Sequence, residues 1–296
     1  MILFLPNTNK LLGLGNLKRC QYLKDQLVKK KFKCYTYLKK KIELNKIRKI
    51  IIEKKIRYIF IDDYRYKEKH RKLFKNLGCK IIQINFFNDN DKYIDLFINY
   101  LKKKSKRFQV INNINNSILQ PYKKFKTKKD NIIMVYFSNI NLNLLNKIIY
   151  SLSLNFENFK IIVISNFNTK DGKIITERNY SNIIIKKNIK NINYYFNKSK
   201  ILISGGGLAS LESTRYKVKN IVIYSNKYQK INSIYLKKNK LISCRFDLKK
   251  LNMNILINKI RTLSEKKIKL KSIEKKSVIK TASILEKKIK LNDWKN

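Results

Sequence analysis

Short runs of branched apolar residues alternate with segments of helical spacing, and the pattern is played through twice. The first round has apolar runs at residues 2–5, 32–37, 56–61, 80–85 and 95–99. Between them lie helical patterns at 17–28, 42–55 and 67–77. The first of these carries Leu17, Cys20, Leu23, Leu27 and Val28 at helical intervals. The second round opens at 131–137, with further runs at 160–165, 181–186, 201–203, 220–224 and 241–244. Helical stretches are expected at 142–152, 229–240 and 248–264. Strands that alternate with helices predict a parallel sheet covered on both faces. Two such rounds predict two Rossmann-like α/β domains facing across a cleft. Residues 1–128 form the first domain and 129–264 the second, with a lysine-rich helical segment at 265–296. Periodicity fails between 102 and 129, where Pro121 interrupts a polar stretch, and this is the expected linker.

The second round contains Ser204, Gly205, Gly206 and Gly207 directly after the apolar run Ile201, Leu202, Ile203. Three of the chain's seven glycines sit here. Glycine tolerates positive φ and close backbone approach. A strand, a glycine turn and a helix start together present backbone N–H groups to an anion. This turn is the expected diphosphate cradle, with Glu212 accepting hydrogen bonds from sugar hydroxyls. A tight turn that binds nothing fits the same residues. Gly13 and Gly15 open the first helix in a similar way, and Asp62, Asp63 and Tyr64 follow the run 56–61. Ligands of open α/β sheets bind beyond the carboxyl ends of the strands. All three stretches fall at such ends, so they are expected to share a cleft.

The net charge is +50, from 69 Lys and Arg against 19 Asp and Glu. The excess is lysine spread along the chain, with Asn, Ile and Tyr also abundant. Codon bias accounts for it as well as a polyanionic partner does, and no specific nucleic-acid partner is expected. The charge still predicts salt-sensitive adhesion to polyanions. Cys20, Cys34, Cys79 and Cys244 have no C-x-x-C spacing, and His70 is the only histidine. Neither a metal site nor a disulfide framework is expected. His70 reads as a solvated histidine on a basic helix. No apolar run reaches the ~18 residues of a membrane span, and residues 1–5 lack the basic start of a secretory signal. A cytoplasmic location is the expectation.

At this point several stretches are similar to a known family. Leu12-Gly13-Leu14-Gly15-Asn16-Leu17-Lys18-Arg19-Cys20 resembles a turn that reads I-G-x-G-H-x-x-R-C in the UDP-sugar hydrolases of pseudaminic acid biosynthesis and related spore-coat polysaccharide proteins. Asp62-Asp63-Tyr64 resembles their D-x-Y, and Asp95-Leu96-Phe97-Ile98-Asn99 resembles D-L-L-I-N. The Ser204 turn with Glu212, and Asn226 followed by Gln229, complete the likeness. The resemblance implies a GT-B fold and hydrolysis of a UDP-sugar at its anomeric carbon, with no cofactor. It implies catalytic positions at Asn16, Asp62 and Tyr64. Nucleotide and phosphate contacts are implied at Gly13, Gly15, Arg19, Ser204, Gly205, Gly206, Gly207, Glu212, Asn226 and Gln229. The family's histidine is Asn16 here, and an amide cannot accept the proton that a neutral imidazole takes. The family's early charged residues correspond to Leu5, Pro6 and Asn7, where both charges are gone. Three readings follow: a UDP-sugar hydrolase, a GT-B glycosyltransferase using a UDP-sugar, and a non-catalytic nucleotide-sugar binder.

Overall fold

A computed structural model describes residues 1–8, 15–39, 41–84, 92–101, 108–138, 140–165, 180–187, 189, 191–292 and 294. The chain divides into two units, Met1–Pro121 with Glu274–Asn296, and Tyr122–Ile273.

The first unit runs β1 (Ile2–Pro6), α1 (Gly15–Lys29), β2 (Cys34–Thr36), α2 (Leu44–Glu53), β3 (Tyr58–Asp62), α3 (Glu68–Asn76), β4 (Lys80–Ile84), β5 (Leu96–Ile98) and β6 (Gln109–Ile111). Its sheet is parallel, in the order β2-β1-β3-β4-β5-β6. Side chains alternate between the two faces of a strand. Ile2, Phe4, Phe60 and Ile82 therefore join the core that contains Cys20, Leu23 and Leu27 of α1. Leu3, Leu5, Ile59, Ile61 and Ile81 join Ile47, Ile51 and Phe74 of α2 and α3. Both faces are covered, which is why these strands read as unbroken apolar runs.

The second unit runs β7 (Asp130–Tyr136), α4 (Leu142–Asn155), β8 (Lys160–Ser165), β9 (Ile183–Lys187), α5 (Ile192–Lys198), β10 (Ser199–Ser204), α6 (Leu208–Thr214), β11 (Lys219–Tyr224), α7 (Lys227–Lys238), β12 (Cys244–Asp247) and α8 (Met253–Glu265). Its parallel order is β12-β11-β10-β7-β8-β9. Ile133, Val135, Ile201, Ile203, Ile221 and Ile223 pack with α4 and α8, and Ile132, Met134 and Leu202 pack with Phe196 of α5. The chain then returns to the first unit through α9 (Ser277–Leu291), whose Val278, Ala282 and Leu285 share the core of Ile2 and Phe4.

Several expectations are corrected. The stretch 102–129 is not all linker: Gln109–Ile111 is a strand, paired with β5 through Leu96 and Gln109. The last strand is Cys244–Asp247, not 241–244, because its register is set by Ile221 opposite Cys244. The helix expected from 248 begins at Met253, where the Asn252 side chain accepts the Ile255 N–H at 3.2 Å. His70 is not a solvated surface residue. It is 9% exposed, and its Nδ1 accepts the Lys67 N–H at the start of α3.

In each unit the strand order reverses once, between β1 and β3 in the first sheet and between β7 and β10 in the second. The crevice beyond the carboxyl ends at such a reversal is where α/β sheets take ligands.

Candidate functional site

In the second unit the glycine turn lies at this reversal. Ser204 ends β10, and Gly207 precedes α6 with φ −98°. None of Gly205, Gly206 and Gly207 has positive φ. What demands glycine is proximity. A Cβ on Gly206 would lie 2.8 Å from the Gln229 carbonyl oxygen and 3.2 Å from its Cα. The turn thus packs directly against the first turn of α7.

Buried hydroxyls and amides hold the turn from beneath. The Ser204 hydroxyl lies 2.9 Å from Ser210 Oγ and donates to Asn220 Oδ1 at 3.0 Å. Ser210 Oγ donates to the Gly205 carbonyl at 2.6 Å, and Asn232 Nδ2 to the Gly206 carbonyl at 2.6 Å. Ser204 is fully buried, so its side chain supports the loop from inside. Glu212 is 4% exposed, and its charge adds to the effect of burial in raising the Tyr136 hydroxyl pKa. Asn226 caps α7 by accepting the Gln229 N–H at 3.0 Å.

Gln229 has a defined orientation. Its Oε1 accepts the Ser225 N–H at 2.8 Å and lies 3.1 Å from Ser225 Oγ. A backbone N–H can only donate, so it fixes which end of the amide is oxygen. Nε2 consequently turns toward Gly205, 3.5 Å from the position a Cβ there would take. A shallow crevice opens here, lined by Phe137, Ser138, Ile140, Gly205, Ile223, Ser225, Gln229 and Leu248. Apolar and neutral polar residues share this lining, and no lysine or arginine is among the described residues that form it.

In the first unit, Asn16, Arg19 and Asp62 meet at the β1–β3 reversal. Arg19 Nε and Nη2 reach Asp62 Oδ2 and Oδ1 at 2.9 and 3.0 Å. Arg19 Nη2 also donates to Asn16 Oδ1 at 2.8 Å, and Asn16 Nδ2 donates to the Asp62 carbonyl at 3.0 Å. Asn16 lies inside α1, not at its cap. Burial raises the Asp62 pKa, against the pull of Arg19. Burial acts against the charge of Arg19, but the Asp62 carboxylate outweighs it and raises the pKa. The guanidinium expected to meet phosphate is therefore held by an internal carboxylate. Asp63 is similarly engaged, by Asn7 Nδ2 at 3.1 Å and by Arg65 Nη2 at 2.6 Å. Tyr64 is 46% exposed beside them, and Gly15 is the first residue of α1. Gly13 lies outside the described residues.

Reading the sequence missed Asn7, Arg65, Ser210, Asn220 and Asn232 as framework residues, and Phe137, Ser138, Ile140 and Leu248 as crevice walls. Asn220 carried a signal, being a polar residue that opens the apolar run 221–224. The walls carried none: Phe137, Ser138 and Ile140 come from the connection between β7 and α4, and Leu248 from the one between β12 and α8.

No protein-family model and no curated protein sequence matches the chain. Solved structures do. The glycotransferase of kitacinnamycin superimposes with a TM-score of 0.68 at 10% identity, covering 98% of this chain and 94% of that one. The Methanocaldococcus jannaschii UDP-GlcNAc 2-epimerase, in complex with UDP-GlcNAc and UDP, gives 0.65 at 12% identity, covering 97% and 99%. Arabidopsis thaliana UGT89C1, complexed with UDP, gives 0.58 at 10% identity, covering 96% and 98%. The likeness shows the fold: two parallel-sheet, Rossmann-like units of the GT-B type.

Proposed function

We propose that this chain binds a nucleoside diphosphate sugar, with the nucleotide at the glycine turn of the second unit, and that it transfers the sugar to an acceptor hydroxyl. The observation that carries the reading is the crevice at the β7–β10 reversal, bordered by Gly205 and the oriented amide of Gln229. Similar folds hold UDP in the UGT89C1 complex and UDP-GlcNAc with UDP in the epimerase complex. In the transfer, the acceptor oxygen bonds to the anomeric carbon, the bond from that carbon to the diphosphate breaks, and UDP departs. None of the described residues lining the crevice is charged, which supports holding of the nucleotide by backbone N–H groups, hydroxyls and the Gln229 amide.

Hydrolysis, as in the pseudaminic acid family, is the second reading, favoured by the Gly15, Arg19, Cys20 and Asp62-x-Tyr64 matches. Transfer is preferred to it because Asn16 replaces the histidine and both Asp62 oxygens are engaged by Arg19. Among the described residues at this place, the carboxylates of Asp62 and Asp63 are both engaged by guanidinium groups. UDP and UDP-GlcNAc binding by calorimetry, followed by assay of UDP release from a UDP-sugar panel, separates the readings. Release only with an acceptor supports transfer, and release in buffer alone supports hydrolysis. Binding without turnover leaves a nucleotide-sugar binder. Absence of binding overturns the proposal.

A further inference from the structure

Among the described residues of the second unit, lysines are most numerous at the amino ends of the strands, although Lys186, Lys187, Lys227, Lys249 and Lys250 stand at the carboxyl ends, and no described lysine or arginine lines the crevice there. Lys129 leads into β7, Lys200 lies at the start of β10, Lys219 opens β11, and Lys266 follows α8. Hydrogen bonds fix these groups along that edge. The Lys129 ammonium donates to the Ser199 carbonyl at 2.6 Å, and Lys219 Nζ donates to the carbonyls of Leu263 and Lys266 at 2.5 and 2.8 Å. The Lys271 N–H donates to the Lys240 carbonyl at 2.9 Å. The stem of Lys129 is exposed, but its ammonium is tucked under these carbonyls. Burial of that head, with repulsion from Lys219, lowers its pKa to about 8. Burial and Lys200 lower Lys219 in turn. Lys129 and Lys219 thereby satisfy carbonyls at the carboxyl ends of α5 and α8, which holds the like charges close together along this edge.

Outside this inner set stand exposed ammonium groups. Lys123, Lys124, Lys126 and Lys128 precede β7, and a lysine-rich run at 266–271 follows α8. Tyr194 is 42% exposed beside the first group and Ile268 is 39% exposed within the second. We propose that this amino edge of the second sheet docks onto an anionic lipid bilayer. Lysines at a charged bilayer each add attraction, and half-exposed tyrosine and isoleucine suit the headgroup depth. A single-stranded nucleic acid fits less well, because it needs open ring faces on which bases stack. Here the rings occupy one another: Phe125 meets Tyr194 edge-on at 5.9 Å, and Tyr122 stacks on Tyr216 at 5.1 Å.

The test is co-sedimentation of the full chain with vesicles of phosphatidylcholine alone or with about one-third phosphatidylglycerol. The triple variant Lys124→Glu, Lys126→Glu, Lys128→Glu is compared with Lys54→Glu, Lys69→Glu, Lys72→Glu, an equal charge change on exposed positions of the first unit. The amino-edge variant is expected to lose at least about 20-fold in affinity for the anionic vesicles, and the control no more than about threefold. Equal losses mean that net charge alone drives adhesion and overturn the proposal. So does failure of the unmodified chain to bind anionic vesicles. If the amino-edge variant loses RNA binding but keeps vesicle binding, the surface belongs to nucleic acid and the proposal falls. Melting temperatures of both variants establish that each is folded.

Discussion

Gly206 sits where a methyl group has no room. Its nearest obstacle is the main chain of Gln229, 2.8 Å from the missing Cβ, and backbone in the first turn of a helix does not swing aside. Gly206→Ala is expected to destabilise the chain by about 1–3 kcal/mol in urea unfolding. Gly207→Ala, with open space around its Cβ, should change stability by less than about 0.5 kcal/mol. The Arg19–Asp62 pair supports a second residue-scale prediction. Asp62→Ala removes the carboxylate that neutralises a largely buried guanidinium, and is expected to cost about 3–5 kcal/mol. Adding Arg19→Met should recover much of that loss, which a double-mutant cycle measures. The family resemblance picked out Asn16, Arg19 and Asp62, and the fold brings all three together. Their mutual bonding was not legible, since nothing in residue spacing says that Arg19 and Asp62, 43 positions apart, share two hydrogen bonds.

At the scale of elements, the strands were legible because each is buried on two faces and reads as an uninterrupted apolar run. The short edge pieces were not. β6 has three residues and a polar start, and only its pairing with β5 reveals it. Helix starts depended on side chains such as Asn141, Asn226 and Asn252, in a sequence where asparagine is too common to mark a cap. The start of α3 gives a pH prediction. His70 accepts the Lys67 N–H through Nδ1, and its pKa is lowered from 6.5 by burial, then by Lys69, Arg71 and Lys67. A depressed folded pKa contributes stability above the unfolded value of 6.5, and this is lost as pH falls through the folded value. Urea stability should therefore drop on going below pH 6.5. His70→Gln, which keeps an acceptor that does not titrate, should flatten that drop. Unchanged pH dependence in His70→Gln would remove His70 as its source.

On the scale of the molecule, the repeat of two α/β rounds was plain in the sequence, and the likeness over nearly the full chain shows the same fold. The return of Glu274–Asn296 to the first unit was not plain. Lysines alternate there with isoleucine and leucine, and an amphipathic helix does not announce which core it will join. The central claim is that the second unit takes a nucleoside diphosphate at the β7–β10 reversal. Titration calorimetry with UDP tests it most directly, on the unmodified chain and on Gly205→Leu. A Cβ at Gly205 meets only ordinary contacts, with Gln229 Nε2 at 3.5 Å and Phe137 Cδ1 at 3.8 Å, both of residues that line the crevice. The account predicts saturable one-to-one binding of UDP that weakens at least about tenfold in Gly205→Leu, a loss near 1.4 kcal/mol, with an unchanged melting temperature. No heat of binding in the unmodified chain, or equal affinity in both proteins, contradicts it.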